Sequence, residues 1–126
     1  MKYSITAAAA PETIGPYSQG TTAGRLVFTS GQLPIDPDDP HSLVEGGVRE
    51  QAERILEITS ILLSEAGCML SDVAKTTVYL VNFEDLDTFD EVYERYFTTP
   101  FPARSIVKIS ELPLGSLVEM DCIACR

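Results

Sequence analysis

The sequence contains no tryptophan, a single histidine and only nine lysines and arginines among its 126 residues, and each scarcity removes a class of chemistry. His41 stands alone in an Asp/Pro-rich loop, so neither a zinc centre nor a nucleophile–histidine–acid triad can be assembled around it, and it reads as solvated. The three cysteines, Cys68, Cys122 and Cys125, are odd in number and show no disulfide framework, which suits a reducing, cytoplasmic compartment. Cys122 and Cys125 have C-x-x-C spacing, but they end a strand and do not open a helix. Strand alternation places their sulfurs on opposite faces, and no redox or metal role is expected for them. Against the nine basic residues stand nineteen acidic ones, a formal net charge of −10 that repels phosphate backbones. Arg49, Arg54 and Arg95 are interleaved with glutamates on helical segments and make no basic patch, so no nucleic-acid partner is expected. Long hydrophobic runs are also missing. The alanines at 7 to 10 stop at Pro11, too early for a secretion signal, and no stretch is suited to spanning a membrane.

What remains is the composition of an ordinary globular protein, 44% hydrophobic and 22% charged, long enough for one domain over 1–126 and too short for two. Residues 1–6 read as an edge strand and 7–15 as a loop. Ala23-Gly24-Arg25 reads as a hairpin turn into a buried strand at 26–30, closed by Ser30-Gly31-Gln32-Leu33-Pro34. A polar loop covers 36–41. From 44 to 66 the pattern turns helical, with Val48, Ala52, Ile55, Leu56, Ile58, Thr59, Leu62 and Leu63 at three- and four-residue steps and Gly67 as the stop. The strongest β-former, 74–81, follows, then a helix over 84–97 with Leu86, Phe89, Val92 and Tyr93 inward. Two last strands complete the order ββαβαββ, give or take an edge strand. This order predicts an α+β fold: a mixed β-sheet with both helices on one face.

Arg104 is the residue that most needs explaining. Pro100 and Pro102 hold its approach extended, and alternation sets Arg104, Ile106 and Lys108 on one side of the strand. In the last strand Val118, Met120, Cys122 and Ala124 form an apolar row opposite Leu117, Glu119, Asp121 and Ile123. Matching the mixed row of each strand puts Arg104, Ile106, Glu119 and Ile123 together on the face that the helices leave bare. A guanidinium there suits a small organic acid, because its planar fork holds a carboxylate bidentately; the alternative is a structural ion pair with Glu119 or Asp121. An uncovered face of mixed aliphatic and charged groups also predicts a closed cyclic oligomer with clefts between copies.

Several motifs then occur in a fixed order: Gly15-Pro16-Tyr17-Ser18-Gln19, Ser30-Gly31-Gln32-Leu33-Pro34, Ala66-Gly67, the run from Asp72 to Leu80, Tyr93-Glu94-Arg95-Tyr96-Phe97, Pro102-Ala103-Arg104-Ser105, Leu112-Pro113, Gly115 and Val118-Glu119. Across essentially the whole chain this set resembles the reactive intermediate deaminase (enamine/imine deaminase, RidA or YjgF) family. The resemblance implies a chorismate-mutase-like fold and a homotrimer with sites between neighbouring subunits. It implies hydrolysis of short-lived enamines and imines, such as 2-aminoacrylate and 2-iminobutyrate, to 2-keto acids and ammonia, with small-molecule substrates and neither cofactor nor metal. Position by position, Arg104 matches the arginine that binds the substrate carboxylate and Glu119 the glutamate that orients water. Tyr17, Ser30 and Gly31 match the partner side of the cleft, and the backbone of Ile106 a further contact. Two departures stand out: Ile106 where many members have cysteine, and Asp90 where many have asparagine. Since an acid repels a carboxylate substrate, Asp90 is left out of the expected site. A trimer that only binds small carboxylates is the competing reading, and RNA cleavage, also associated with the family, fits the acidic chain poorly.

Overall fold

A computed structural model describes residues 1–126. In chain order the elements are strands β1 (Lys2–Ile5), β2 (Gly20–Ala23) and β3 (Leu26–Thr29), a small hairpin of β4 (Ile35–Asp36) and β5 (Asp39–Leu43), helix α1 (Val48–Glu65), β6 (Val73–Leu80), helix α2 (Leu86–Tyr96), β7 (Ala103–Lys108) and β8 (Val118–Cys125). Six strands form one sheet in the order β1-β2-β3-β8-β6-β7. Only β6 and β7 run parallel, because α2 carries the chain back between them; every other neighbour is antiparallel. The mixed sheet and the two helices on one side are therefore as the sequence predicts. The six-stranded sheet holds one strand more than the expected order, β2, paired with β3 through the turn at Gly24, whose φ of +60° suits glycine.

The core lies between helices and sheet. All eight residues of the α1 stripe expected from periodicity are buried, and Val118, Met120, Cys122 and Ala124 meet them from β8. A Schellman cap ends α1: Gly67 at φ +75° lets its own N–H reach the Ser64 carbonyl at 3.0 Å and the Cys68 N–H reach that of Leu63 at 2.8 Å. At its start the helix waits until Val48, four residues later than the apolar pattern begins, because Gly46 and Gly47 intervene and Glu50 Oε1 accepts the Gly47 N–H at 2.8 Å. The polar loop at 36–41 folds into the β4–β5 hairpin. Asp36 and Asp39 accept backbone N–H groups two residues on, at 2.8 and 3.0 Å, and buried Arg54 of α1 donates to the Ile35 carbonyl at 2.7 Å. Cys122 is buried and Cys125 exposed, on opposite faces as alternation requires. No helix is long and apolar enough to cross a membrane.

The register corrects one expectation directly relevant to the site. Thr76 of β6 pairs with Arg104 of β7 on one side and with Cys122 of β8 on the other, and residues in register share a face. Thr76 is fully buried, and its hydroxyl shares a 2.8 Å hydrogen bond with Tyr93 of α2. Arg104 therefore lies on the helix side, as does Ile106, which pairs with fully buried Val78. Glu119 and Asp121 lie on the other side, in register with Tyr79 and Thr77. The four residues Arg104, Ile106, Glu119 and Ile123 do not share a face. β7 is the sheet's rim, so Arg104 can lay its stem against α2 while its head reaches solvent. The uncovered face still mixes apolar groups with charges: Phe28 opposite Ile123, Val107 and Tyr79 in register, and Glu119 and Asp121 beside them.

Candidate active site

At the rim, residues Asp90, Tyr93, Glu94, Phe101, Pro102 and Arg104 line a cleft of about 230 Å³. Arg104 donates from Nη1 to Asp90 Oδ1 at 2.6 Å and from Nη2 to Asp90 Oδ2 at 3.3 Å, a fork-to-fork pair. Its guanidinium carbon stands 4.9 Å from the centre of the Tyr93 ring. The ion-pair partner is thus neither Glu119 nor Asp121 but Asp90, the residue left out of the expected site. The reason is topological: the crossover through α2 brings a helix residue fourteen positions earlier over the first turn of β7.

The second group of residues gathers on the open face. After β3 the chain continues beside β8, with the Gln32 N–H on the Met120 carbonyl at 2.8 Å and the return bond at 3.3 Å. This short ladder lays Gly31 on the Glu119 side chain, so closely that a Cβ added at Gly31 would stand 2.5 Å from Glu119 Oε2 and 2.8 Å from its Cδ. Tyr17, about half exposed, and Gly31 line a cleft of about 480 Å³ together with Gln32, Ile35 and His41. Ser30 is next to it, its hydroxyl donating to the Ser18 carbonyl at 2.6 Å, which satisfies a local backbone group. His41 is exposed, as the sequence suggests, and stands at the wall of this cleft.

Glu119 takes part in none of the chain's ion pairs. Burial pushes its carboxyl above the ordinary range, and the neighbouring Asp121 charge adds to the shift. Asp121 is raised as well, chiefly by burial, opposed by the Tyr79 hydroxyl at 3.4 Å and by Lys75. By contrast Cys122 is held as a thiol: burial pushes it up to about 11, and it offers no thiolate nucleophile.

Within one chain the structure brings Gly31 and Glu119 together, and Tyr17 and Gly31 together, but not Arg104 with Glu119. Those two are on opposite faces, two strands apart and about 10 Å offset along the strand direction. Gly31→Ala tests the tight contact. The nearest atoms the methyl group meets all belong to one flexible side chain, that of Glu119, so the fold is expected to keep its melting temperature within about 3 °C, while the Glu119 carboxylate must swing away. Any activity that depends on Glu119 should fall by roughly tenfold or more, and an unchanged rate would separate Glu119 from the chemistry.

Fold and site together define a class: an α+β protein whose mixed sheet is covered on one side only, with an arginine at its rim and an unpaired carboxylate on its open face. The chain belongs to the YjgF/RidA family, described as Endoribonuclease L-PSP, whose profile matches residues 7–126. A RutC family protein of Pyrococcus abyssi is 44% identical over 93% of this chain and 91% of its own. The human 2-iminobutanoate/2-iminopropanoate deaminase is 42% identical, covering 97% of this chain and 88% of its own. A crystal structure from Thermotoga maritima superposes with a TM-score of 0.95 at 40% identity, covering 100% of this chain and 98% of that one. Escherichia coli TdcF with bound serine gives 0.91 at 36% identity and 98% coverage of both. The family thus includes imine deaminases and a member that holds a small amino acid.

Proposed function

We propose that residues 1–126 form one enamine/imine deaminase domain, a 2-iminobutanoate/2-iminopropanoate deaminase that hydrolyses reactive intermediates such as 2-aminoacrylate to 2-keto acids and ammonia. The observation that carries this reading is Glu119, a half-buried carboxylate with a raised proton affinity and no cationic partner, held against Gly31. A group so placed is suited to hold and deprotonate a water. Arg104 is the complementary half, a fork for the substrate carboxylate. Their separation within one chain supports a homotrimer in which Arg104 of one copy faces Tyr17, Ser30, Gly31 and Glu119 of its neighbour, and the apolar groups of the open face give such copies something to bury.

In the reaction, the enamine tautomerises to the protonated imine and water adds to its carbon while passing a proton to Glu119, which leaves a neutral carbinolamine. Glu119 returns that proton to the nitrogen, and the C–N bond breaks with release of ammonia as the hydroxyl passes its own proton to Glu119 and becomes the keto oxygen; ammonia then takes that proton and leaves as ammonium. The imine is already electrophilic, so the protein's part is to orient the reactants and receive a proton. Backbone groups at Gly31 and Ile106 are the candidates for contacting the nitrogen.

The test supplies threonine to a dehydratase that releases 2-iminobutanoate, with semicarbazide competing for the imine. Addition of this protein is expected to speed 2-oxobutanoate release and suppress the semicarbazone; an unchanged partition would leave the binding-only reading, which the serine held by the TdcF relative favours. The family's description as an endoribonuclease adds a third outcome, cleavage of RNA, which the net charge of −10 opposes.

A further inference from the structure

We infer that Asp90 is a built-in competitor for the ligand carboxylate, a specificity-determining residue that keeps Arg104 closed until a guest displaces it. This rests on the reading of Arg104 as the carboxylate grip. A guanidinium presents a limited set of N–H groups, and the end-on pair, Nη1 and Nη2, is one of the edges that a carboxylate fills bidentately. Both of those nitrogens are on Asp90, at 2.6 and 3.3 Å, one oxygen to each. Asp90 therefore takes the end-on geometry that a 2-keto or 2-imino acid would take, and its charge stands beside the one edge it leaves. The pair is not sealed in the core: the two side chains retain 25% and 34% of their exposure, so an incoming anion can reach it from the cleft.

Electrostatics reinforce the competition. With Asp90 in place the arginine's charge is neutralised, and Glu94 on the same wall leaves the cleft with an excess negative charge. A monoanionic acid entering it meets a field of its own sign until Asp90 gives way. Tyr93 keeps the guanidinium in position during the exchange, because the ring contact does not depend on which carboxylate occupies the fork. The cost appears as a fraction: an arginine whose fork is open one-tenth of the time binds about tenfold more weakly than one that is always open.

Asp90→Asn removes the charge with little change of shape. Calorimetric titration with 2-oxobutanoate, a stable keto acid, is expected to give a dissociation constant about tenfold or more lower for D90N than for the wild type, and no measurable binding for Arg104→Ala. Asp90→Ser, which shortens the side chain, should move in the same direction and guards against a local rearrangement peculiar to the amide. In turnover, D90N should lower KM and leave kcat nearly unchanged, the pattern of a ground-state competitor. Equal or weaker binding by both variants overturns the inference and makes Asp90 a brace for Arg104. Absence of keto-acid binding in the wild type and both variants overturns it too. The deaminase reading is judged separately, by keto-acid release in the dehydratase-coupled assay, so the two can fail independently.

Discussion

Arg104→Ala is expected to abolish keto-acid release while leaving the chain folded. The functional loss follows from what alanine cannot do: it leaves the substrate carboxylate without a bidentate, charge-assisted partner at the moment it leaves water. Truncating one side of a desolvated ion pair typically costs roughly 2–5 kcal/mol, or roughly 30- to 4,000-fold in kcat/KM. The structural loss is much smaller, because the Arg104–Asp90 pair is partly solvated and such pairs contribute about 0–1 kcal/mol to stability. Melting should therefore fall by no more than about 5 °C. Arg104→Lys separates charge from shape. An ammonium keeps the positive point charge over Tyr93 but cannot give each carboxylate oxygen its own donor in one plane, so an intermediate rate is expected. The dehydratase-coupled assay reads the rate and sedimentation reads the assembly. If R104A released keto acid at the wild-type rate, the grip would have to be somewhere else.

How far the site could be read from sequence depends on whether the relevant interaction is local. The α1 stripe, the Gly67 cap and the opposed sulfurs of Cys122 and Cys125 are set by spacing within a few residues, and all three are found as expected. The β4–β5 hairpin was hidden because its turn is made by the side chains of Asp36 and Asp39 in a stretch that otherwise reads as loop. The face of Arg104 is a different kind of problem. Alternation within β7 allows two assignments, and only its register with β6, through Thr76, together with the cover from α2, decides between them. Pairing the charged rows across strands gives the opposite assignment from the one the register shows. The same helix supplies Asp90, whose identity as an acid was visible but whose reach to Arg104 depends on the crossover bringing them together. The face of Glu119 is legible because β8 is an interior strand whose apolar row is unambiguous, so its other row faces away from the helices.

Glu119→Gln should lose activity and gain stability at once, and that opposition is what distinguishes a catalytic carboxylate from a structural one. A glutamine keeps the shape against Gly31 but cannot take a proton from water, so the rate should fall by roughly 10²–10⁴-fold with a smaller effect on keto-acid binding. The stability gain follows from linkage. Burial and the Asp121 charge raise the proton affinity of Glu119 in the folded chain relative to the unfolded one. Below the ordinary carboxylate range the group is protonated in both states and the folded state is not penalised. As pH rises from that range through the raised folded value, the unfolded chain ionises first, and folding loses stability that is not recovered at neutral pH. Removing the charge removes the penalty, so E119Q should melt above the wild type at neutral pH, with the difference closing as the pH is lowered below the ordinary carboxylate range. Asp121→Asn should show the stability gain without a comparable loss of rate, since its shift has the same sign while its hydroxyl partner, Tyr79, is on the same open face. Thermal melts across pH for the two variants, set beside their turnover, check this directly. Were E119Q to melt lower than the wild type at neutral pH, the Glu119 charge would be stabilising and its proton affinity not raised, and the water would need another base.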